Sequence, residues 1–232
     1  MMASRWKLFL EWGSILSLIA CAYWIFMLTP IETSQGFSQK IMYLHVPTVI
    51  VTYLAFFIVF AFSIAYLWKR DLMFDRIAKS SAEIGLLFCA LVLISGAVWG
   101  RPTWGTYWVW DARLTTTLVL FLIFLGYFLL RMSTEDRDKE SRLAAVIGII
   151  GFLDIPIIHK SVEWWRTLHQ PTTLFKTEDG MAKPSIPDEL LYPLLATMMA
   201  MLLFYLFLLQ LRYRMETSQD ELKQLMAQDR MD

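Results

Sequence analysis

Six long apolar stretches restrict what this chain of 232 residues can fold into. A helix needs about 20 apolar residues to cross the hydrocarbon core of a bilayer. Several of the stretches fall slightly short of that length, so we expect their helices to extend a residue or two into the aromatic flanks. The sequence therefore predicts an all-α integral membrane protein with six transmembrane helices, at residues 13–28, 46–68, 84–98, 114–130, 143–158 and 190–211.

The composition supports one membrane domain with small pieces outside it. Hydrophobic residues make up 57% of the chain and charged residues only 18%, whereas a soluble domain has about a quarter charged residues. We expect a membrane domain at residues 1–211 and an exposed, cytoplasmic helical tail at residues 212–232. The net charge of zero argues against a nucleic-acid partner. The first stretch lacks a small-x-small cleavage site, so we expect it to remain as a helix rather than leave as a signal peptide.

The distribution of basic residues predicts the orientation. Fourteen of the 21 lysines and arginines lie at the N-terminus, in the second and fourth connections, and in the tail. Because basic residues favour the cytoplasmic side, both termini are expected in the cytoplasm and the first, third and fifth connections on the outer face. All three histidines and six of the ten tryptophans then lie on that outer face.

The third connection is unusually rich in tryptophan. Membrane proteins normally spread tryptophans along both interfaces, whereas four close indoles make a large surface that suits a flat, apolar ligand. We expect Gly100, Pro102 and Gly105 to break any helix here, a short surface helix to follow from residue 106, and Asp111 to be placed to cap the fourth helix. The four indoles belong to Trp99, Trp104, Trp108 and Trp110.

Two histidines are candidate metal ligands. His45 comes just before Pro47, which suits the start of a helix, and His169 follows the Trp164–Trp165 pair in the fifth connection. Two imidazoles from separate connections, beside indoles, fit a planar macrocycle whose iron binds axial histidines. Zinc is disfavoured, because the sequence of the outer connections contains no cysteine and no close set of three or four His, Asp and Glu residues. The third histidine, His159, is interpreted as structural, and Cys21 and Cys89 as packing residues.

Three charged residues near the outer face each have two open interpretations. Arg101 and Arg113 flank the tryptophan-rich connection and are suited either to pair with haem propionates or to contact lipid headgroups. Asp154 is the only ionised residue within the six stretches, and such a residue is by default a functional candidate. Because it lies near the end of its span beside Pro156, a structural bond to a neighbouring helix is favoured.

Three motifs carry a resemblance to a known family. The string WGTYWVWD at residues 104–111 fits the WGxxWxWD signature of the haem-handling proteins of cytochrome c biogenesis, called the WWD domain. YLHVP at residues 43–47 and VEWWRTLHQP at residues 162–171, with six spans and this length, resemble the CcmC family in particular. The resemblance covers nearly the whole chain.

This resemblance implies a function and a set of site residues. It implies that haem b is presented at the outer face of the bacterial inner membrane to the haem chaperone CcmE, with CcmD and the CcmAB ATP-binding cassette transporter as partners. The protein would act as a binding template rather than an enzyme, with His45 and His169 as the axial ligands of the iron. The cofactor-binding set that it implies comprises Trp99, Trp104, Gly105, Trp108, Trp110, Asp111 and Arg113.

Two other functions stay open on the residues alone. A membrane-embedded transferase would use histidine and aspartate as acid and base, but no outer-face carboxylate has a convincing spacing to a histidine. A b-type cytochrome subunit linked to quinone would hold its haem by histidines within spans, whereas both candidates here are at span ends.

Overall fold

A computed structural model describes residues 2–165, 167–169, 176–178, 181–183 and 186–229. Arg166, Gln170 and Pro171 of the third motif, and residues 230–232 of the expected tail, lie outside the described residues. In chain order the helices are α1 (Met2–Tyr23), α2 (Met42–Lys69), α3 (Leu72–Trp104), α4 (Ala112–Ser133), α5 (Arg137–Phe152), α6 (Asp154–Trp164) and α7 (Asp188–Gln228).

Within the described residues, six segments are long and apolar enough to cross a membrane, which confirms the expected all-helical class and a multi-pass membrane protein. They are longer than the apolar stretches, at Leu8–Leu28, Phe37–Lys69, Leu72–Trp104, Ala112–Ser133, Arg137–Trp164 and Asp188–Leu222. The one addition to the helices in the described part of the chain is a short antiparallel hairpin in the fifth connection. Its strands are β1 (Lys176–Glu178) and β2 (Met181–Lys183).

The second span begins earlier than expected. A single 3-10 turn, Phe37–Ile41, leads directly into α2, so His45 lies in the first turns of that helix and Pro47 lies inside it. The prediction that His45 precedes the helix is therefore wrong. The reason is Lys40, which is buried and donates from Nζ to the backbone oxygens of Ile25 and of Thr29, the latter at 3.0 Å. This contact holds the 3-10 turn against the end of the first span.

The third span continues further than expected. Helix α3 runs through Gly100 and Pro102 as far as Trp104, so only Gly105, with φ +78°, ends it. Thr103 Oγ1 donates to the Trp99 carbonyl at 2.7 Å, which satisfies an acceptor near the proline. The short helix expected from residue 106 is not formed. Only five residues separate Gly105 from the cap of α4, too few for a stable helix of their own.

The fifth span is divided at Leu153 into α5 and α6. Pro156 has no N–H with which to bond the carbonyl four residues earlier, so the regular helical pattern is interrupted here. At the same point the Leu153 N–H donates to the Ile150 carbonyl at 3.1 Å, three residues earlier rather than four. Asp154 is buried at the start of α6, and its Oδ2 has no hydrogen-bond partner within the described residues. The favoured bond to a neighbouring helix is therefore not found within the described residues.

The end of the bundle remote from the tryptophans is held by ion pairs. Arg131 of α4 bonds Asp75 of α3 and, at 2.8 Å, Glu140 of α5. Asp220 of α7 pairs with Arg76 and with Arg137, each at 3.3 Å. Because Asp220 belongs to the expected exposed tail, the expectation of full exposure is wrong there. Helix α7 passes without a break from the last span into this segment.

Candidate ligand-binding site

The first part of the candidate site is built around His45 of α2. Its Nδ1 lies 2.9 Å from Ser95 Oγ of α3, and its ring stands edge-on to the Trp99 indole with centroids 5.8 Å apart. Ser95 and Trp99 are four residues apart and therefore share one face of α3. Trp99 Nε1 in turn donates to Gln35 Oε1 at 3.0 Å, so the first connection, α2 and α3 meet at this histidine.

The second part of the site is built around His169 of the fifth connection. Its ring lies edge-on to the Trp104 indole, with centroids 4.8 Å apart. Its Nδ1 is 3.9 Å from Asp111 Oδ2, too long for a hydrogen bond but close enough for an electrostatic contact. The same Oδ2 accepts from the Leu168 N–H at 3.3 Å. The fifth connection is thereby fastened to the third.

Asp111 also caps α4, as the sequence indicated. Its Oδ1 accepts from the Leu114 N–H at 2.8 Å, an arrangement that satisfies one of the free donors at a helix start. One carboxylate thus holds both the start of α4 and the segment that carries His169.

The protonation state of His169 suits metal binding. Burial lowers the pKa of this imidazole to about 4, and the Arg113 guanidinium contributes to the decrease. The Asp111 carboxylate raises the pKa, but its effect is smaller. At neutral pH the ring is therefore uncharged. A histidine that binds a metal must be in this neutral form, because the metal takes the lone pair of a ring nitrogen.

Arg113 joins the two parts of the site. The guanidinium lies within electrostatic range of the imidazoles of both His45 and His169. Arg113 also lies near the Tyr53 side chain of α2. The charge of one cation therefore acts on two histidines that are 124 positions apart in the sequence.

The four indoles of the third connection do not form a single flat surface. Trp108 and Trp110 pair with each other at 5.5 Å with their planes at 81°, and 77% of Trp110 is exposed. Trp104 instead folds back on Gly100, where a Cβ would lie 3.1 Å from the indole. Arg101 donates to the Gly105 carbonyl and lies over the Tyr107 ring. The indoles are therefore divided between the two histidines and an exposed rim.

Several residues of the site were not identified from the sequence. Ser95, Gln35 and Tyr53 each contact a predicted site residue, but all three come from different parts of the chain. The one available signal was the spacing of Ser95 and Trp99 on one helix face. By contrast, His159 is exposed on α6, and no contact of it with the candidate site is found within the described residues.

The geometry fits a planar ligand with a metal at its centre. His45 uses Nδ1 for its hydrogen bond with Ser95, and His169 Nδ1 is buried without a hydrogen-bond partner in the described part of the chain, so each ring retains a nitrogen for a metal. Trp99 and Trp104 stand beside these rings, and Arg113 provides a positive charge near both of them. These are the kinds of group that hold a flat, anionic ligand with a metal at its centre: two neutral imidazoles, apolar indoles and a cation.

Comparisons with a family model and with individual relatives indicate the same family. The family model described as "CcmC: Heme exporter protein C" matches residues 1–228. The chain is 40% identical over 205 residues to heme exporter protein C of Bradyrhizobium diazoefficiens, which covers 86% of this chain and 75% of the relative.

Two further relatives agree. Heme exporter protein C of Haemophilus influenzae is 40% identical over 202 residues, 86% of this chain and 80% of the relative. A Marchantia polymorpha protein described as a putative cytochrome c biosynthesis ccmC-like mitochondrial protein is 39% identical over 145 residues, 62% of this chain and 61% of the relative. This chain therefore belongs to the CcmC family, the heme exporter protein C family.

Proposed function

We propose that this protein binds haem b between His45 and His169 and presents it for cytochrome c maturation. The observation that carries the proposal is that two imidazoles from different parts of the chain each lie edge-on to an indole of the tryptophan-rich connection, His45 beside Trp99 and His169 beside Trp104, and that both are within electrostatic range of Arg113. Membership of the heme exporter protein C family supports it. Each histidine contributes Nε2 as an axial ligand to the iron of the bound haem.

The surrounding residues have distinct roles in this proposal. Trp99 and Trp104 pack beside the axial imidazoles and shield the haem from water. Arg113 pairs with a propionate of the haem, since a half-buried guanidinium near two neutral rings favours an anionic partner. Asp111 fixes the position of His169 through Leu168. Gly105, Trp108 and Trp110 form the edge of the site.

The exposed edge suits transfer of haem to a partner. Trp110 is 77% exposed, and Trp164 and Trp165 are 60% and 52% exposed. Such a rim provides apolar contact area for a periplasmic haem chaperone of the CcmE type, with CcmD and the CcmAB transporter as the other partners. Holding the haem in one orientation lets the protein act as a positioning template.

The proposed location follows from the charge distribution. Fourteen of the 21 basic residues lie in the terminal segments and in the second and fourth connections. This distribution favours a cytoplasmic position for the end of the bundle that carries both termini. The histidine end then faces the periplasm across the bacterial inner membrane. Haem bound there is accessible to a chaperone outside the membrane.

The axial ligands are tested by optical spectra of the purified protein in detergent, loaded with ferric haem and then reduced. We expect His45→Ala and His169→Ala each to lose the six-coordinate low-spin spectrum, and the double variant to retain little haem. His159→Ala is the matched control and keeps the spectrum, because His159 lies outside the site.

The same preparations test the transfer step. Incubation with purified CcmE, followed by haem staining of the separated chaperone, is expected to give haem-loaded CcmE with the parent protein and not with the double variant. Full haem occupancy with an unchanged spectrum in the double variant would exclude the ligand assignment. Normal binding without any transfer would exclude only the chaperone step.

A further inference from the structure

Ser95 of α3 contacts the imidazole of His45 and is itself bonded to the backbone of its own helix. Ser95 is buried, with 7% of its surface exposed, and its Oγ makes two close contacts. One is with His45 Nδ1 at 2.9 Å. The other is with the carbonyl oxygen of Leu91, one turn earlier in α3, at 2.6 Å.

These two contacts determine which ring nitrogen carries the proton. A serine hydroxyl has one proton to donate, and a carbonyl oxygen is only an acceptor. The Ser95 proton is therefore used at Leu91, and a second carbonyl contact, to Val92 at 3.4 Å, competes for that same proton. Oγ then offers His45 only a lone pair. The bond between them requires that His45 Nδ1 be the donor.

A neutral imidazole with its proton on Nδ1 has its free lone pair on Nε2. This is the tautomer that binds iron through Nε2. The hydrogen bond at the other ring nitrogen is the usual means by which proteins fix both the tautomer and the orientation of a metal-binding histidine.

The residue after Ser95 fixes the ring from another side. A Cβ at Gly96 would lie 3.1 Å from His45 Cε1, tighter than ordinary van der Waals contact. The imidazole thus lies directly against the backbone of α3, with the Trp99 indole edge-on beside it. Ser95, Gly96 and Trp99 together restrict rotation of the ring. We call Ser95 and Gly96 the His45 seat.

We propose that the His45 seat holds this imidazole in the Nδ1–H tautomer and in one orientation, so that Nε2 points to haem iron. Ser95 is in this sense a positioning residue, acting on haem only through His45. The inference rests on the proposed function, because it takes His45 as an axial ligand. It adds that a serine in the third span controls how firmly that ligand binds.

The first test compares three variants of the full-length protein in detergent, loaded with ferric haem. Readouts are the low-spin electron paramagnetic resonance signal and the rate of haem loss to excess apomyoglobin. Ser95→Ala is expected to accelerate haem loss about tenfold or more, in line with other removals of a partner from a metal-binding histidine, and to alter the low-spin signal.

Two matched variants separate this effect from a general loss of packing. Ser95→Thr keeps a hydroxyl that bonds the Leu91 carbonyl and is expected to restore slow haem loss. Ser80→Ala makes the same change in the same helix at a residue that is also buried, and whose Oγ has no hydrogen-bond partner in the described part of α3 and its surroundings. It is expected to leave both readouts unchanged.

Gly96→Ala provides a second measurement should Ser95→Ala fail to fold. The added methyl group displaces the ring without touching the hydroxyl, so the low-spin signal is expected to shift while haem stays bound. Unchanged haem loss and an unchanged signal in Ser95→Ala, or in Gly96→Ala if that is the folded variant, would overturn the inference. If His45→Ala also keeps the parent spectrum, the proposed function itself fails. If only His45→Ala loses it, the seat alone is wrong.

Discussion

Asp111 carries two structural duties with its two oxygens. Oδ1 accepts from Leu114 at the start of α4, and Oδ2 accepts from Leu168 and faces His169. Only 8% of this side chain is exposed, so water does not readily replace either partner. A change at this residue therefore affects the stability of α4 and the placement of a proposed axial ligand separately, according to which oxygen is lost.

Substitution of Asp111 is expected to separate the two duties. Asp111→Asn keeps one carbonyl oxygen, and asparagine caps helices as well as aspartate does, so this variant should unfold at nearly the parent temperature. The amide cannot also accept from Leu168, so haem loss should be faster. Asp111→Ala removes both acceptors and should also lower the free energy of unfolding by about 1 kcal/mol. Thermal unfolding in detergent and the ferric haem spectrum measure the two effects. Equal haem loss in parent and Asp111→Asn would contradict this assignment.

Helix packing in this protein depends on close approach at particular glycines. Helices α2 and α3 meet at Gly85, where a Cβ would lie 2.7 Å from Phe56 Cε1 and 3.1 Å from Ala55 Cβ. Phe56 has little room to move, because its ring is stacked on Phe124 of α4 at 3.7 Å. Small residues at such contacts let helices in a membrane pack closely. The position of α3, and hence of the His45 seat, follows from this contact.

Gly85→Ala is expected to destabilise the bundle. The new methyl group overlaps the Phe56 ring, which cannot move away because it is stacked on Phe124. Overpacking of this kind typically costs about 1–3 kcal/mol. Gly126→Ala in α4 is the control, since nothing lies within 4 Å of a Cβ there and alanine favours the helix. The midpoint of thermal unfolding in detergent should fall for the first variant and not for the second. Equal midpoints would show that α2 and α3 do not depend on this close approach.

At the scale of the whole molecule, polar groups are concentrated at the two ends of the bundle. One end holds the histidines and Arg113, and the other holds the ion pairs of Arg131, Asp75, Glu140 and Asp220. Both Arg131 and Asp75 are nearly inaccessible, with 4% and 2% of their side chains exposed. The pairs join α3, α4, α5 and α7, so the end remote from the site sets the relative positions of helices that also build the site.

Removal of Arg131 is expected to be strongly destabilising. Arg131→Met keeps most of the volume but leaves the buried Asp75 carboxylate without its main partner, and breaking a buried pair costs about 3–5 kcal/mol. Arg142→Met is the control, because Arg142 forms an exposed pair with Asp138, and such pairs contribute little. Thermal unfolding checks both variants. At low temperature the haem spectrum of Arg131→Met should remain normal, and a loss of haem without a loss of stability would contradict this view.

Some features of this protein follow from the sequence because they depend on local physical chemistry. Six apolar stretches are enough to predict six spans, since the bilayer requires both their length and their helical form. Asp111 was identified as a helix cap from its position alone. The boundaries were less predictable: α3 passes through Pro102, and α2 begins before His45 because Lys40 supports a turn against a distant helix end.

Other features were decided only by the tertiary structure. The motifs pointed to His45, His169 and the tryptophans as a set, but nothing in the sequence places Ser95 beside His45, Arg113 near both imidazoles, or Leu168 on Asp111. These contacts join residues 50 or more positions apart. Hydrophobic length and local caps act over a few neighbouring residues, whereas the protonation and orientation of each imidazole depend on which atoms the folded bundle brings within about 3 Å.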